Sequence, residues 1–130
     1  MRIYLDSAPI IYLVENIPPY VDFLKQRLSS EDTHQVCSDL TRLECRVKPL
    51  RDEQMALLFA FDTYFDDIIS ESVPLSRAVM DRATEIRAQY GFKTPDAIHL
   101  ACAAIAECDI FLTNDKQLKQ FNEIAVEIIH

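Results

Sequence analysis

Four carboxylates, Asp6, Glu44, Asp96 and Asp115, are the residues of this 130-residue chain whose types and placement could do chemistry. Each stands where an apolar run ends or a helix opens, and each has an ordinary explanation as a cap or turn residue. Their joint placement says more. Four acids drawn to one place repel one another and resist full ionisation unless a cation compensates them. Oxygen ligands without paired histidine or cysteine suit a hard ion, Mg²⁺ or Mn²⁺, which keeps several waters and binds phosphate oxygens directly. Metal-assisted phosphodiester hydrolysis fits that donor set: Asp6 and Asp96 hold the main ion, Asp115 is a further ligand or through-water contact, and Glu44 positions a metal or a water. Ser7, Thr113 and Asn114 could orient the acids by hydrogen bonds, beside their ordinary roles as caps and turn residues.

The acids meet only if the chain folds to bring them together. Arg2–Leu5 reads as a strand, and Asp6-Ser7-Ala8-Pro9 opens a helix through about Glu15. After the break at Pro18-Pro19, the spacing of Val21, Leu24 and Leu28 predicts a second helix. Gln35–Ser38 is a second strand, followed by helix-start residues in which Thr41-x-x-Glu44 has the form of a capping box. Pro49 is expected to end that helix. Asp52 to about Phe65 is another, apolar most of the way round, and Asp67–Ser70 is an edge strand. Ser76 opens a long helix that closes at Gly91, where a positive φ is needed. Thr94 as cap and Pro95 at the first helical position then place Asp96 in the opening turn of a small-residue helix. A strand at Asp109–Thr113, a short helix with Leu118 and Phe121, and a strand near Val126–Ile129 complete the chain.

This alternation predicts a parallel α/β sheet with helices on both faces and the site beyond the strands' carboxyl ends. Asp6, Glu44 and Asp115 fall on that edge. Asp96 joins them if its helix points its N-terminus the same way.

Length and composition bound the rest. The chain suits one domain spanning 1–130, with 49% hydrophobic residues and only one glycine and six prolines, which argues against disorder. No apolar run reaches a bilayer span and an acid interrupts the first strand early, so a cytoplasmic protein is expected. Cys37, Cys45, Cys102 and Cys108 lack C-x-x-C spacing and read as buried thiols. His34, His99 and His130 are scattered, and His99 reads as a helix residue packed or hydrogen-bonded locally. A net charge of −8 excludes nucleic-acid binding by a broad basic surface, so any such role must be local.

Tyr4-Leu5-Asp6-Ser7 with Ile10-Ile11-Tyr12-Leu13, Thr41-x-x-Glu44, Thr94-Pro95-Asp96-Ala97-Ile98-His99-Leu100-Ala101 and Leu112-Thr113-Asn114-Asp115 together resemble a PIN domain, particularly the VapC-type toxins of bacterial toxin–antitoxin pairs. The likeness spans nearly the whole chain. It implies a three-layer α/β sandwich around a parallel sheet of about five strands in the order 3-2-1-4-5. It also implies a Mg²⁺- or Mn²⁺-dependent endoribonuclease, usually a homodimer, inhibited by a small VapB-type antitoxin. The family's acidic quartet carries over to Asp6, Glu44, Asp96 and Asp115. Ala8 departs from the small polar residue that many members place after the position of Ser7. Among the basic residues, Arg46, Lys93 and Lys116 are the candidate RNA contacts, with solvated faces and ion pairs as the ordinary alternative.

The apolar helix from Asp52 to Phe65 and the Glu44 helix before it are the expected grip for the antitoxin, with Leu58 and Phe61 as the residues to test. A catalytically inactive PIN-like binding module is the alternative from another class. An aspartyl phosphatase would want a second aspartate at Ala8, and a receiver domain would want an acid pair before the first strand's aspartate; the sequence has neither.

Overall fold

The apolar run Arg2–Leu5 forms β1, and its side chains set the layering. Ile3 and Leu5 join the core on one face of the sheet and Tyr4 joins the core on the other, all three without exposed surface. A central parallel strand covered on both sides requires this. The computed structural model describes residues 1–130. After β1 come α1 (Ser7–Val14), α2 (Tyr20–Arg27), β2 (His34–Ser38), α3 (Asp39–Arg51) and α4 (Met55–Asp67). Then follow β3 (Glu71–Val73), α5 (Arg77–Tyr90), α6 (Thr94–Ile105), β4 (Ile110–Thr113), a 3-10 turn (Lys116–Gln120) and β5 (Ala125–Ile128).

All neighbouring strands are parallel, in the order β3-β2-β1-β4-β5. The chain builds outward from β1 through β2 to β3, then starts again on the other side of β1 with β4. That reversal leaves a crevice between the carboxyl ends of β1 and β4, where open α/β sheets place their sites. Leu5 pairs with Leu112, so Asp6 and Thr113 are the next residues on either side of the crevice.

One core joins Tyr4, Val36 and Phe111 to α5 and α6, and the other joins Ile3, Leu5, Cys37 and Leu112 to Ile10, Leu24, Cys45 and Phe61 of α1 to α4. The buried Ala97, Ala101 and Ala103 let α6 lie close to its neighbours. All four cysteines are free and buried, as expected. No helix is long and apolar enough to cross a membrane.

Several boundaries differ from the sequence reading, each for a local reason. The capping box of α3 is formed by Ser38 and Thr41, with Thr41 N donating to Ser38 Oγ, which leaves Glu44 free of any capping duty. Pro49 lies inside the last turn of α3, which runs on to Arg51. A proline removes one backbone donor there, and the turn still closes through Asp52 N to Lys48 O. Asp52–Gln54 form a connection with Glu53 at φ 55°, so α4 starts three residues later than expected. Asp67 ends α4, Ile68 and Ile69 close it by donating to Tyr64 O, and the edge strand is Glu71–Val73.

Lys93 and not Thr94 is the N-cap residue of α6, and it makes no side-chain cap. Thr94 Oγ1 instead accepts from Arg87 Nη1 at 3.1 Å. Gly91 does close α5, at φ 77°; a Cβ there would meet nothing within 4 Å, so the backbone angle alone asks for glycine. On α4, Leu58 and Phe61 face the core and Phe59 is 73% exposed, so the two residues expected to meet a partner are structural.

Candidate active site

Asp6 follows the last residue of β1 and occupies the N-cap position of α1, yet its side chain caps nothing. It is 9% exposed. Oδ2 accepts from Thr113 Oγ1 at 2.6 Å across the crevice, while the buried Oδ1 has no hydrogen-bond partner. Burial is the main cause that raises its pKa from 3.8 to about 6; the Thr113 hydrogen bond and His99 oppose the rise, and the charges of Glu44 and Asp96 add to it. A buried carboxylate with one oxygen unsatisfied costs stability wherever it is ionised.

The other three acids stand around it. Asp96 lies in the first turn of α6 and its pKa is raised by burial first, then by the charge of Asp115, with Glu44 adding and His99 and Lys93 opposing. Asp115 spends Oδ1 on the cap of the 3-10 turn, accepting from Gln117 N at 3.0 Å. Its own N–H donates to Thr113 Oγ1 at 3.1 Å. Thr113 therefore ties Asp6 and Asp115 together through one hydroxyl, donating to the first and accepting from the second. Glu44, on α3, places Oε1 2.6 Å from His99 Nε2.

No three of the histidine, cysteine, aspartate and glutamate side chains form a finished ligand cage. The donor set is still that of a hard ion, all carboxylate oxygen, and Asp6 Oδ1 is a buried acceptor without a partner.

Other expected members divide. Thr113 bonds to two of the acids. Ser7 offers only its carbonyl oxygen, to Cys45 Sγ at 3.9 Å, and Asn114 Nδ2 donates to Tyr12 Oη at 2.7 Å and not to an acid. Arg46 is committed to Asp62, with Nε at 2.8 Å and Nη2 at 3.4 Å. Lys93 precedes α6 close enough to act on Asp96, and Lys116 follows Asp115. His99 is more than the locally packed residue that the sequence suggests. It is buried, but its partners are distant in sequence: Glu44 on one ring nitrogen and Tyr4 Oη, at 2.8 Å, on the other. The signals were its place one turn after Asp96 on the same helical face and a lone hydroxyl in an otherwise aliphatic strand.

A family model described as the PIN domain matches residues 3–124. Among solved structures, the chain is similar over its full length and all of the other's to a VapBC complex from Rickettsia felis bound to a promoter DNA fragment, at 13% identity and a TM-score of 0.82. It is similar at 22% identity and a TM-score of 0.72 to a toxin–antitoxin complex from Klebsiella pneumoniae, covering 94% of each chain. A VapC toxin from Mycobacterium tuberculosis, described as cleaving the sarcin–ricin loop, aligns at 13% identity and a TM-score of 0.67, over 84% of this chain and 86% of the other. No curated protein matches.

Proposed function

The chain belongs to the PIN-domain family, and on that premise we propose that it is an endoribonuclease dependent on a divalent metal ion and the toxin of a toxin–antitoxin pair. The observation that carries the reading is Asp6 Oδ1, a buried and unpartnered carboxylate oxygen at the sheet's switch point with three more acids around it. Asp6, Asp96 and Asp115 would hold Mg²⁺ or Mn²⁺, with Glu44 beside them. The ion supplies positive charge for the phosphate and makes a bound water more acidic.

The chain's own groups prepare that place. Thr113 fixes Asp6 and Asp115 relative to each other, and Glu44, gripped at Oε1, has Oε2 left for the ion or a water bound to it. Attack by water predicts products with 3′-hydroxyl and 5′-phosphate ends. Mass spectrometry of a cleaved oligoribonucleotide checks this, and a 2′,3′-cyclic phosphate would show that the ribose hydroxyl, not water, is the nucleophile.

An RNA strand needs positive charge near the acids, and the β5 edge offers it. A groove of about 830 Å³ there is bordered by Tyr20, Asn114, Lys116, Lys119 and His130. Its one carboxylate, Glu127, is paired with Arg27 at 2.7 Å. Lys93 and Lys116 remain the RNA contacts of this reading; Arg46 leaves it because its guanidinium is bound to Asp62. The description of the Mycobacterium tuberculosis toxin supports an RNA substrate.

The antitoxin is assigned to the outer face of α3 and α4. Leu43, Val47 and Leu50 recur at helical spacing along α3 and are 50–57% exposed, and Met55 and Phe59 of α4 are exposed as well. A partner's apolar segment covering this stripe removes it from water. Phe59→Glu and Val47→Glu should each weaken antitoxin binding by roughly 30-fold, about 2 kcal/mol, without unfolding the chain. Calorimetric titration with the antitoxin checks this, and undiminished affinity in the double variant would move the interface elsewhere. A homodimer and a cytoplasmic location accompany the VapC-type reading and belong to the same proposal.

A further inference from the structure

We propose that His99 is a positioning residue for Glu44, itself held by the buried hydroxyl of Tyr4, an inference that rests on the metal-dependent reading above. Glu44 needs such help. Its side chain is 29% exposed and has several rotatable bonds, so in the absence of a partner it spreads over many rotamers. His99 Nε2 lies 2.6 Å from Oε1, at the short end of nitrogen–oxygen hydrogen bonds. The imidazole is 3% exposed and one turn beyond Asp96 on α6, so a single rigid helix carries both an acid of the site and the holder of another.

The support behind the ring is equally fixed. Tyr4 Oη lies 2.8 Å from His99 Nδ1 and 2.8 Å from Ser38 Oγ, and 3.5 Å from Thr41 Oγ1. Its ring stacks on Phe111 with centroids 5.2 Å apart and planes 11° from parallel. Burial holds the phenol well above its ordinary pKa, so the hydroxyl keeps its hydrogen. One hydrogen and two partners at equal distance leave two arrangements. Directed at His99, it donates to Nδ1; directed at Ser38, it accepts from Nδ1–H. In either arrangement Nε2 faces the Glu44 carboxylate.

The connected set therefore links the strand that ends at Asp6, the cap of the helix that bears Glu44, and the helix that bears Asp96. It fixes one oxygen of Glu44 and leaves the other to serve the site. A purely structural histidine would satisfy its own nitrogens and leave metal affinity alone.

Calorimetric titration of Mn²⁺ into the antitoxin-free chain and into His99→Leu, His99→Gln and Tyr4→Phe, each checked for its melting temperature, tests the proposal, with RNA cleavage beside it. His99→Leu should bind Mn²⁺ about tenfold more weakly and lose roughly 10–100-fold in kcat with KM unchanged. His99→Gln, whose amide can donate from nearly the same place as Nε2, should regain most of both. Tyr4→Phe keeps the stacked ring and should fall between them, so it tests the same chain of bonds even if His99→Leu fails to fold. Native Mn²⁺ affinity and kcat in folded Tyr4→Phe and His99→Leu would overturn the proposal. So would a His99→Gln variant as impaired as His99→Leu, because ring packing and not the N–H would then be the cause. A native chain that takes up no Mn²⁺ refutes the metal reading and this inference with it. A native chain that binds Mn²⁺ but cuts no RNA refutes only the nuclease reading, and the Mn²⁺ comparison among the variants then decides this one.

Discussion

Asp96→Asn is expected to remove RNA cleavage, lowering kcat/KM by about 10³-fold or more, roughly 4 kcal/mol of transition-state stabilisation. The substitution keeps shape and removes charge at a carboxylate in the first turn of α6, where it makes no cap and its ionisation is opposed by burial and by Asp115. The dipole of α6, Lys93 and His99 favour that charge and offset part of the opposition. The variant should melt no lower than the native chain, because one source of repulsion among the acids is gone. Steady-state cleavage of a labelled RNA and a melting curve on the same preparation check both halves. A variant that folds and still cuts at more than about a tenth of the native rate would take Asp96 out of the site.

Stability of the metal-free chain should fall as pH rises through the range in which Asp6 ionises. The carboxyl has an ordinary pKa of 3.8 and about 6 in the fold, so between those values the folded state binds more protons than the unfolded one. The penalty is absent below the lower value, grows between the two, and is complete above about pH 6. Its size is on the order of 3 kcal/mol, or about 10 °C in melting temperature for a chain of this length. Asp6→Asn cannot ionise, so in EDTA its melting temperature relative to the native chain should climb between pH 4 and pH 7.5. Mg²⁺ should stabilise the native chain above pH 6, less at pH 5, and Asp6→Asn hardly at all. A native–variant difference that stays flat with pH would mean that Asp6 is not the strained acid described here.

The sheet edge was legible because each strand-to-helix transition carries its own punctuation. Asp6-Ser7-Ala8-Pro9 and Thr113-Asn114-Asp115 stop apolar runs, and a parallel sheet then sends both stops to one side. Less visible were the helix ends that use Asn16, Glu53 and Glu107 in the left-handed region, where no glycine marks the break. The capping box was misplaced because Ser38 and Thr41 also satisfy its spacing, and the choice between the two was made by the strand ending at Ser38. On α4, Leu58, Phe59 and Phe61 are alike in hydrophobicity; only the packing of Phe61 against the first strand's face separates core from surface. The pairing of Arg46 with Asp62 depends on how α3 and α4 cross and leaves no trace in local pattern; the place of His99 one turn after Asp96 is visible in the sequence, but its partner Glu44, fifty-five positions away, is not.

If the four acids form a metal-dependent ribonuclease site, the antitoxin-free chain cuts labelled total RNA only when a divalent ion is present. The native protein and Asp96→Asn are incubated side by side with Mg²⁺, with Mn²⁺ and with EDTA, the variant serving as control for contaminating nuclease. Discrete fragments are expected from the native chain with either metal, none in EDTA, and none from the variant under any condition. Cutting that persists in EDTA, or that the folded variant shares, would contradict it. So would a native chain that binds Mn²⁺ and leaves every RNA intact, which would make this an inactive binding module with the fold of a nuclease.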